Sequence, residues 1–251
     1  MNEARFDGMG KEYSQFRPCY PDAFMDYLYS DIGMAECGAV ADIGSGTGIL
    51  TKQLLLKGSR VYAVEPNDSM RAVAEDDLKA FTYFYSYNGT AEDTGLLDGC
   101  VDFVTAAQAF HWFDRRRFKA ECGRILKPGG KVILVWNRRD ESSVLVQETD
   151  IIHKEYCPDF KGFSGGMRGA GNAGEFNDFF VNGYEAKVFE NGLEYTEQGF
   201  IGRNLSASYA LKEDNPRYAD YIRELKAVFA NHSKDGILVM PNQTHSFTGN
   251  V

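Results

Sequence analysis

Three glycines and two acidic residues occur where two neighbouring apolar runs end. The stretch Asp42-Ile43-Gly44-Ser45-Gly46-Thr47-Gly48 closes the apolar run 39–43, and Glu65 closes the next run. Glycines at such a point let the backbone turn tightly and approach a ligand without a Cβ clash. A carboxylate at the end of a neighbouring strand can accept both hydroxyls of a ribose. The pattern predicts a site for an adenosine-type cofactor.

The elements that would position these residues alternate along the chain. Asn67 or Asp68 can cap the second predicted helix. Strands separated by helices indicate βαβ units, and therefore an α/β domain with a parallel sheet and helices on both faces. The predicted strands are 39–43, 60–65, 81–87, 101–107 and 131–136, and the predicted helices between them are 49–57, 67–78 and 114–126.

The regular alternation weakens outside residues 39–137. Lys127-Pro128-Gly129-Gly130 predicts a turn, and the glycine-rich stretch 162–174 predicts a mobile loop that could act as a lid. The remaining predicted helices are 22–30, 144–156, 197–212 and 216–232, and two β-like stretches are 184–195 and 236–240.

Composition narrows the class of protein. The 251 residues carry 36 acidic against 27 basic side chains, a net charge of −9, which disfavours a nucleic-acid or anionic-membrane binder. Five widely spaced cysteines without a CxxC pair, and four histidines without paired spacing, predict neither a disulfide framework nor a metal site. Because no signal peptide or spanning apolar run is recognisable, we expect a cytoplasmic protein.

The glycine loop distinguishes between cofactors. A dinucleotide fingerprint GxGxxG would need glycine at position 49, which is Ile49. The order D-x-G-x-G-x-G instead resembles the first motif of the class I S-adenosylmethionine-dependent methyltransferases. Further stretches that resemble motifs of this family in the same order are Glu65-Pro66-Asn67, Gly89-Thr90-Ala91-Glu92-Asp93, the segment from Val101 to Phe113, and Arg124 to Gly130.

This resemblance implies a Rossmann-like, doubly wound, mostly parallel seven-stranded sheet whose last strand is antiparallel, with a helical cover over the active site. It implies a single domain, 1–251, with a cofactor-binding half at 33–137, an N-terminal cover at 1–32 and a substrate-side cover with closing strands at 138–251. Within the class, the run Ala107 to Asp114 and the leader Tyr13 to Pro21 are similar to a small-molecule branch that includes the trans-aconitate and quinone-biosynthesis methyltransferases.

The resemblance also assigns roles to the cofactor-binding residues. The glycine loop would contact the methionine and ribose portions, Glu65 the ribose, and the following residues the adenine. Met70 could equally be helix core, Glu92 an exposed helix cap, and Asp42 a support for the loop. The predicted cofactor-binding residues are Tyr13, Arg17, Asp42, Gly44, Ser45, Gly46, Thr47, Gly48, Glu65, Pro66, Asn67, Met70, Ala91, Glu92, Gln108, Ala109 and Phe110.

Candidate catalytic and substrate residues are fewer. His111 is the candidate base, although its aromatic neighbours also fit a packing role. Arg17 could pair with the cofactor carboxylate or lie on the surface. Trp112 and Trp136 could form walls of the acceptor pocket or belong to the core. Three arginines that could bind an acidic substrate, or simply be solvated, are Arg138, Arg139 and Arg203.

The predicted function is methyl transfer from S-adenosylmethionine to a small molecule, with release of S-adenosylhomocysteine. The place where nucleic-acid amino-methylating enzymes carry [DNS]-P-P-[YFW] reads Ala106-Ala107-Gln108-Ala109-Phe110, which disfavours a nucleic-acid substrate. Two alternatives remain: a non-catalytic S-adenosylmethionine-binding module, and an NAD(P)-dependent oxidoreductase. We expect a monomer or homodimer with no membrane or nucleic-acid partner.

Overall fold

The computed structural model describes residues 18–163, 175–207 and 209–251. Its strands are β1 (Ala39–Ile43), β2 (Arg60–Val64), β3 (Phe84–Tyr87), β4 (Val101–Ala107), β5 (Leu126–Arg139), β6 (Val181–Glu190), β7 (Leu193–Tyr195), β8 (Leu238–Met240) and β9 (Asn242–Asn250). Its α-helices are α1 (Asp22–Ser30), α2 (Ile49–Leu56), α3 (Asp68–Leu78), α4 (Arg115–Ile125), α5 (Val144–Tyr156), α6 (Glu197–Leu205) and α7 (Tyr218–His232).

Seven strands form one sheet in the order β3-β2-β1-β4-β5-β9-β6. The five strands from β3 to β5 pair in parallel, with Ile43 opposite Val64 and Asp42 opposite Thr105. The sheet is mostly parallel with one antiparallel strand, and helices flank it. The predicted α/β fold class, a Rossmann-like doubly wound sheet, is therefore confirmed.

The chain divides into two compact units. The first comprises residues 1–136, 171–189 and 244–251, and the second comprises 137–170 and 190–243. In the first unit, alternate residues of a strand enter two different apolar clusters, because successive side chains point to opposite faces. Val132 and Leu134 belong to one cluster, whereas Ile133 and Val135 belong to the other. Both faces of the sheet are therefore buried, as in a doubly wound fold.

The second unit has its own apolar cluster, built from helices and a small sheet. Strands β7 and β8 pair antiparallel, with Tyr195 opposite Leu238. Phe200, Tyr221 and Phe229 of α6 and α7 are buried in the cluster. The prediction of one domain with covering segments is not tested by this division and stays a prediction.

Local hydrogen bonds mark three of the element boundaries. Asn67 caps α3, because its side-chain oxygen accepts a hydrogen bond from the Met70 N–H at 2.9 Å. The helix predicted at 197–212 ends at Leu205, where the Ser206 N–H bonds to the Gly202 carbonyl in a final turn. The strand predicted from residue 81 begins at Phe84, because the Phe81 N–H turns back to the Leu78 carbonyl.

Two segments differ more from prediction. The turn predicted at 127–130 lies inside β5, as an irregularity between the pairs Val101–Leu126 and Phe103–Lys131. Gly129 adopts a left-handed backbone conformation, φ +82°, which allows the strand to bend at this irregularity. Strand β9 was missed by sequence reasoning because its segment, NQTHSFTGN, is largely polar. Its position between β5 and β6 supplies neighbours on both sides.

No helix among the described residues is both long and apolar enough to cross a membrane.

Candidate functional site

The glycine loop lies directly after β1 and bends in the left-handed region three times. Gly44, Gly46 and Gly48 have φ values of +67°, +58° and +83°. A Cβ on Gly44 would lie 2.6 Å from the Ala109 Cβ, and one on Gly48 would lie 2.8 Å from Leu78 Cδ1. Two of the three glycines are thus required by close packing as well as by backbone conformation.

Gly46 differs from the other two glycines because it borders open space. Apart from its two chain neighbours, the only atom of the described residues within 4 Å of a Cβ built there is the Met70 sulfur, at 3.9 Å. Thr47, next to it, is buried, and its hydroxyl has no hydrogen-bond partner among the described residues. An open cradle beside an orphaned hydroxyl is a suitable place for a polar ligand to approach the backbone.

Glu65 joins the loop to the end of β2. Its two carboxylate oxygens accept hydrogen bonds from the backbone N–H groups of Gly46 and Asn67, each at 2.9 Å. Burial raises the pKa of this carboxyl above its ordinary value, and the two N–H groups oppose that shift. Each carboxylate oxygen has a second lone pair, so the group can still accept hydroxyls of a ligand.

Asp42, at the start of the loop, is bonded to α2 and β4, and its predicted roles as a cofactor contact or a support for the loop stay predictions. Its carboxylate is buried and accepts hydrogen bonds from the hydroxyls of Thr51 at 2.6 Å and Thr105 at 2.8 Å. Burial raises its pKa, and the two hydroxyls counteract this. Sequence reasoning missed both threonines, because their contact with Asp42 depends on the packing of α2 and β4 against β1 and leaves no motif.

The residues predicted at the adenine end occupy buried or half-buried positions. Asn67, Met70 and Ala91 are buried, and the side chain of Asn67 is used in capping α3. Glu92 accepts a hydrogen bond from the backbone N–H of Asp114 at 2.8 Å, just before α4. The Glu92 carboxylate therefore has a structural partner, and its contact with adenine stays a prediction.

The end of β4 contains a feature that the sequence did not reveal. Gln108 adopts φ +56°, an uncommon conformation for a residue other than glycine, and its N–H donates to the Val135 carbonyl at 2.8 Å. Such backbone strain concentrates at functional sites. Ala109 and Phe110, which follow, are buried. Gln108 thus marks the carboxyl end of β4, where the site is predicted.

His111 and Trp112 lie on a single turn of 3₁₀ helix, Phe110–Trp112, and both are exposed. Their ring centroids are 4.8 Å apart. Trp136 is buried and its ring is stacked on Phe176 at 5.6 Å, so core packing accounts for it without a substrate. The base role of His111 and the substrate roles of Trp112 and Trp136 stay predictions.

The remaining predicted residues are spread over other parts of the chain. Arg138 and Arg203 belong to the second unit and are partly exposed. Tyr13, Arg17 and most of the predicted lid, residues 164–174, lie outside the described residues. The described residues include no group of three His, Cys, Asp or Glu side chains arranged to hold a metal ion.

The sequence around this site is similar to that of known proteins. Residues 41–134 match the family model described as a methyltransferase domain, and this segment contains the glycine loop, Glu65 and the end of β4. The segment resembles a methyltransferase domain, and S-adenosylmethionine is the predicted cofactor that this match supports.

Proteins with similar sequences are also described as methyltransferases. An uncharacterised methyltransferase of Mycobacterium tuberculosis is 41% identical over 147 residues, which are 58% of this chain and 58% of that protein. A methyltransferase-like protein of Schizosaccharomyces pombe is 31% identical over 61% of this chain and 59% of its own length. The chain thus matches less than two thirds of the length of these relatives.

A solved structure shares the fold over nearly the whole chain. It is that of a type II methyltransferase candidate from Anaeromyxobacter dehalogenans, with a TM-score of 0.72 and 24% identity, covering 94% of this chain and 98% of the other. At this identity the likeness concerns the fold.

Proposed function

We propose that the protein is an S-adenosylmethionine-dependent methyltransferase that methylates a small-molecule acceptor and releases S-adenosylhomocysteine. The observation that carries the proposal is the open cradle at Gly46, held to Glu65 by a backbone hydrogen bond of 2.9 Å inside the segment that resembles a methyltransferase domain. The finer resemblance to the trans-aconitate and quinone-biosynthesis branch belongs to the same proposal.

The chain's own residues would hold the cofactor in separate portions. Glu65 would accept the ribose hydroxyls with its remaining lone pairs, and the Thr47 hydroxyl would find a partner in the bound cofactor. Met70, whose sulfur lies beside the cradle, would flank the bound cofactor. The buried contacts of Asp42 with Thr51 and Thr105 fix the loop before any ligand arrives, which reduces the entropy lost on binding.

The chemistry asks little of the protein beyond positioning. The bound cofactor supplies an electrophilic methyl group and leaves as a neutral thioether. The residues at the end of β4 would orient the acceptor in line with that methyl group and exclude water. If the acceptor carries a proton that must be removed, His111 is our candidate base. We further propose a cytoplasmic protein, monomeric or homodimeric, without a nucleic-acid partner.

A ligand-binding series tests the proposal. Thermal unfolding is measured with S-adenosylmethionine, S-adenosylhomocysteine and NAD, and a ligand at 100 times its Kd adds about 2.7 kcal/mol of stability. We expect the first two ligands to stabilise the protein and NAD to have no effect. Stabilisation by NAD alone would show that the site is a dinucleotide site.

A matched pair of variants locates the binding. Glu65→Ala removes the carboxylate at the loop and should abolish the stabilisation by both cofactor forms. Glu75→Ala removes an exposed glutamate of α3 that bonds to Ser86, and it should leave that stabilisation intact. Transfer of labelled methyl to a panel of small acceptors then distinguishes an enzyme from a non-catalytic binding module.

A further inference from the structure

Arg139 is a half-buried cation for which the described residues supply no counter-ion. It ends β5 in the second unit, and its Nη1 atom is buried with no hydrogen-bond partner among the described residues. The guanidinium lies over the ring of Phe163, 3.9 Å from the centroid. Stacking on a ring orients the guanidinium plane but leaves its N–H donors unused.

Arg217 in the same unit shows the usual arrangement. It lies over the ring of Tyr156 at 4.3 Å and also bonds to the Glu155 carboxylate at 3.0 Å. Arg139 makes no ion pair with a carboxylate anywhere in the described part of the chain. Arg217 therefore has both a ring and a carboxylate as partners, whereas Arg139 has a ring but no carboxylate among the described residues.

The environment of Arg139 disfavours its positive charge. Burial, together with a smaller effect of the positive charge of Arg203, lowers the pKa of Arg139 to about 10, and Tyr209 partly opposes this shift. The group nevertheless remains protonated at neutral pH. A half-buried guanidinium whose buried Nη1 atom has no partner is unfavourable, and a bound anion would relieve that cost.

Aromatic rings form the walls beside Arg139. The ring centroids of Phe160 and Phe163 are 5.2 Å apart, and that of Tyr209 is 4.8 Å from Phe160. His153 packs against these rings at 5.1 to 5.4 Å. Burial lowers the pKa of His153 to about 4, so it adds no charge at neutral pH. The nearby Asp150 is paired with Lys154.

We propose that Arg139, assisted by Arg203, forms a binding site in the second unit for the carboxylate of a small molecule with an aromatic body. The planar guanidinium matches a carboxylate, and Phe163 and Tyr209 offer apolar surface to the rest of the ligand. The carboxylate could belong to the methyl acceptor, which rests on the proposed function, or to a ligand that is not methylated. The chemistry recognised is the same in both cases.

Binding of benzoate tests the site directly. Affinity is measured by calorimetry and thermal unfolding at constant ionic strength, with acetate and inorganic phosphate as comparison anions. We expect saturable binding of benzoate, weaker binding of acetate, and little binding of phosphate. Absence of saturable benzoate binding, or binding of phosphate alone, would overturn the proposal.

Variants locate the bound carboxylate. Arg139→Met keeps the aliphatic stem and should weaken benzoate binding about tenfold or more, and Arg203→Met should weaken it less. Arg217→Met, the matched control, should leave it unchanged. Without ligand, Arg139→Met should unfold at a temperature no lower than that of the wild type, because it removes a charged group whose buried Nη1 atom has no partner.

If Arg139→Met does not fold, Arg139→Lys retains the charge but not the planar fork, and it should also weaken benzoate binding. Equal benzoate affinity in wild type and in the folded Arg139 variant would contradict the proposal.

Two further measurements show whether the bound carboxylate belongs to the methyl acceptor or to a ligand that is not methylated. If the carboxylate belongs to the acceptor, a bound carboxylic acid gains labelled methyl from S-adenosylmethionine, and Arg139→Met lowers kcat/KM. If it belongs to another ligand, benzoate-type binding occurs without labelling. Stabilisation by S-adenosylmethionine is recorded for each variant, so that failure of cofactor binding, which would contradict the proposed function, is seen independently of failure at Arg139.

Discussion

Buried charges are treated differently in the two units of this protein. In the first unit, the buried carboxylates of Asp42, Glu65 and Glu121 each accept at least two hydrogen bonds from hydroxyl, backbone or guanidinium donors. In the second unit, Arg139 has a buried donor without a partner, and burial keeps His153 neutral. Partners of this kind stabilise a buried charge before any ligand binds, whereas a buried donor without a partner is a candidate for ligand binding.

In the first unit, we expect the glycine loop to tolerate an added methyl group poorly at Gly44. Gly44→Ala places a methyl group 2.6 Å from the Ala109 Cβ in a left-handed conformation, and we expect a loss of about 4 kcal/mol of unfolding free energy. Chemical unfolding followed by circular dichroism measures it.

Gly46→Ala is the control for this prediction, since its φ of +58° is similar but its surroundings are open. We expect it to cost about 1 to 2 kcal/mol of stability, from backbone strain alone. It should also weaken binding of S-adenosylmethionine, because the added methyl group enters the proposed cradle. Equal stability losses in the two variants would show that packing does not distinguish the two glycines.

The second unit should be the more sensitive to mild acid. Burial of the ring lowers the pKa of His153 to about 4 from the ordinary 6.5, the positive charge of Arg139 contributes, and the hydrogen bond with the Thr149 carbonyl opposes the shift. The unfolded chain therefore binds a proton first, and stability falls as pH drops from 6.5 to 4. The full loss is about 3 kcal/mol. Hydrogen exchange of α5 and α7 amides, corrected for intrinsic rates, measures it.

Two variants check this assignment. His153→Gln lowers stability at all pH values but should remove the dependence on pH between 6.5 and 4. His111→Gln changes an exposed ring and should keep that dependence. Unchanged pH dependence in His153→Gln would assign the acid sensitivity to other groups.

A smaller loss of stability on acidification, at lower pH than that of His153, is expected for Glu121 in the first unit. Burial alone would raise its pKa, but hydrogen bonds from Arg124 and Thr94 hold it at about 2. Its contribution is complete above pH 4.5 and is lost as pH falls towards 2. Glu121→Gln should cost about 2 kcal/mol at pH 7, and the difference from wild type should shrink in acid. Unfolding of both proteins at pH 7 and pH 3 compares them.

Sequence reasoning predicted most of the parallel half of the sheet. The runs that became β1 and β4 were predicted with their observed boundaries, because buried parallel strands are continuously apolar. The same reasoning missed β9, whose buried residues include Asn242, Thr244, Ser246 and Thr248. A polar segment becomes a strand here because neighbouring strands satisfy its backbone, which no local pattern reports.

Of the candidate site, the sequence pattern predicted the glycine loop and the acidic residue beside it. The loop and Glu65 were assigned from residue types alone, and the structure brings Gly46 and Glu65 within one hydrogen bond. The strained Gln108 and the two threonines around Asp42 were not, because their roles arise from contacts between elements far apart in the chain.

By itself, the sequence determined the α/β fold class and the position of the glycine loop, because hydrophobic periodicity and glycine spacing are local properties of the chain. Only the tertiary structure decided which buried charges have partners. Asp42 meets hydroxyls from α2 and β4, whereas Arg139 meets rings and a second cation. The physical reason is that the free energy of a buried charge depends on what surrounds it in space, and neighbours in space are set by packing.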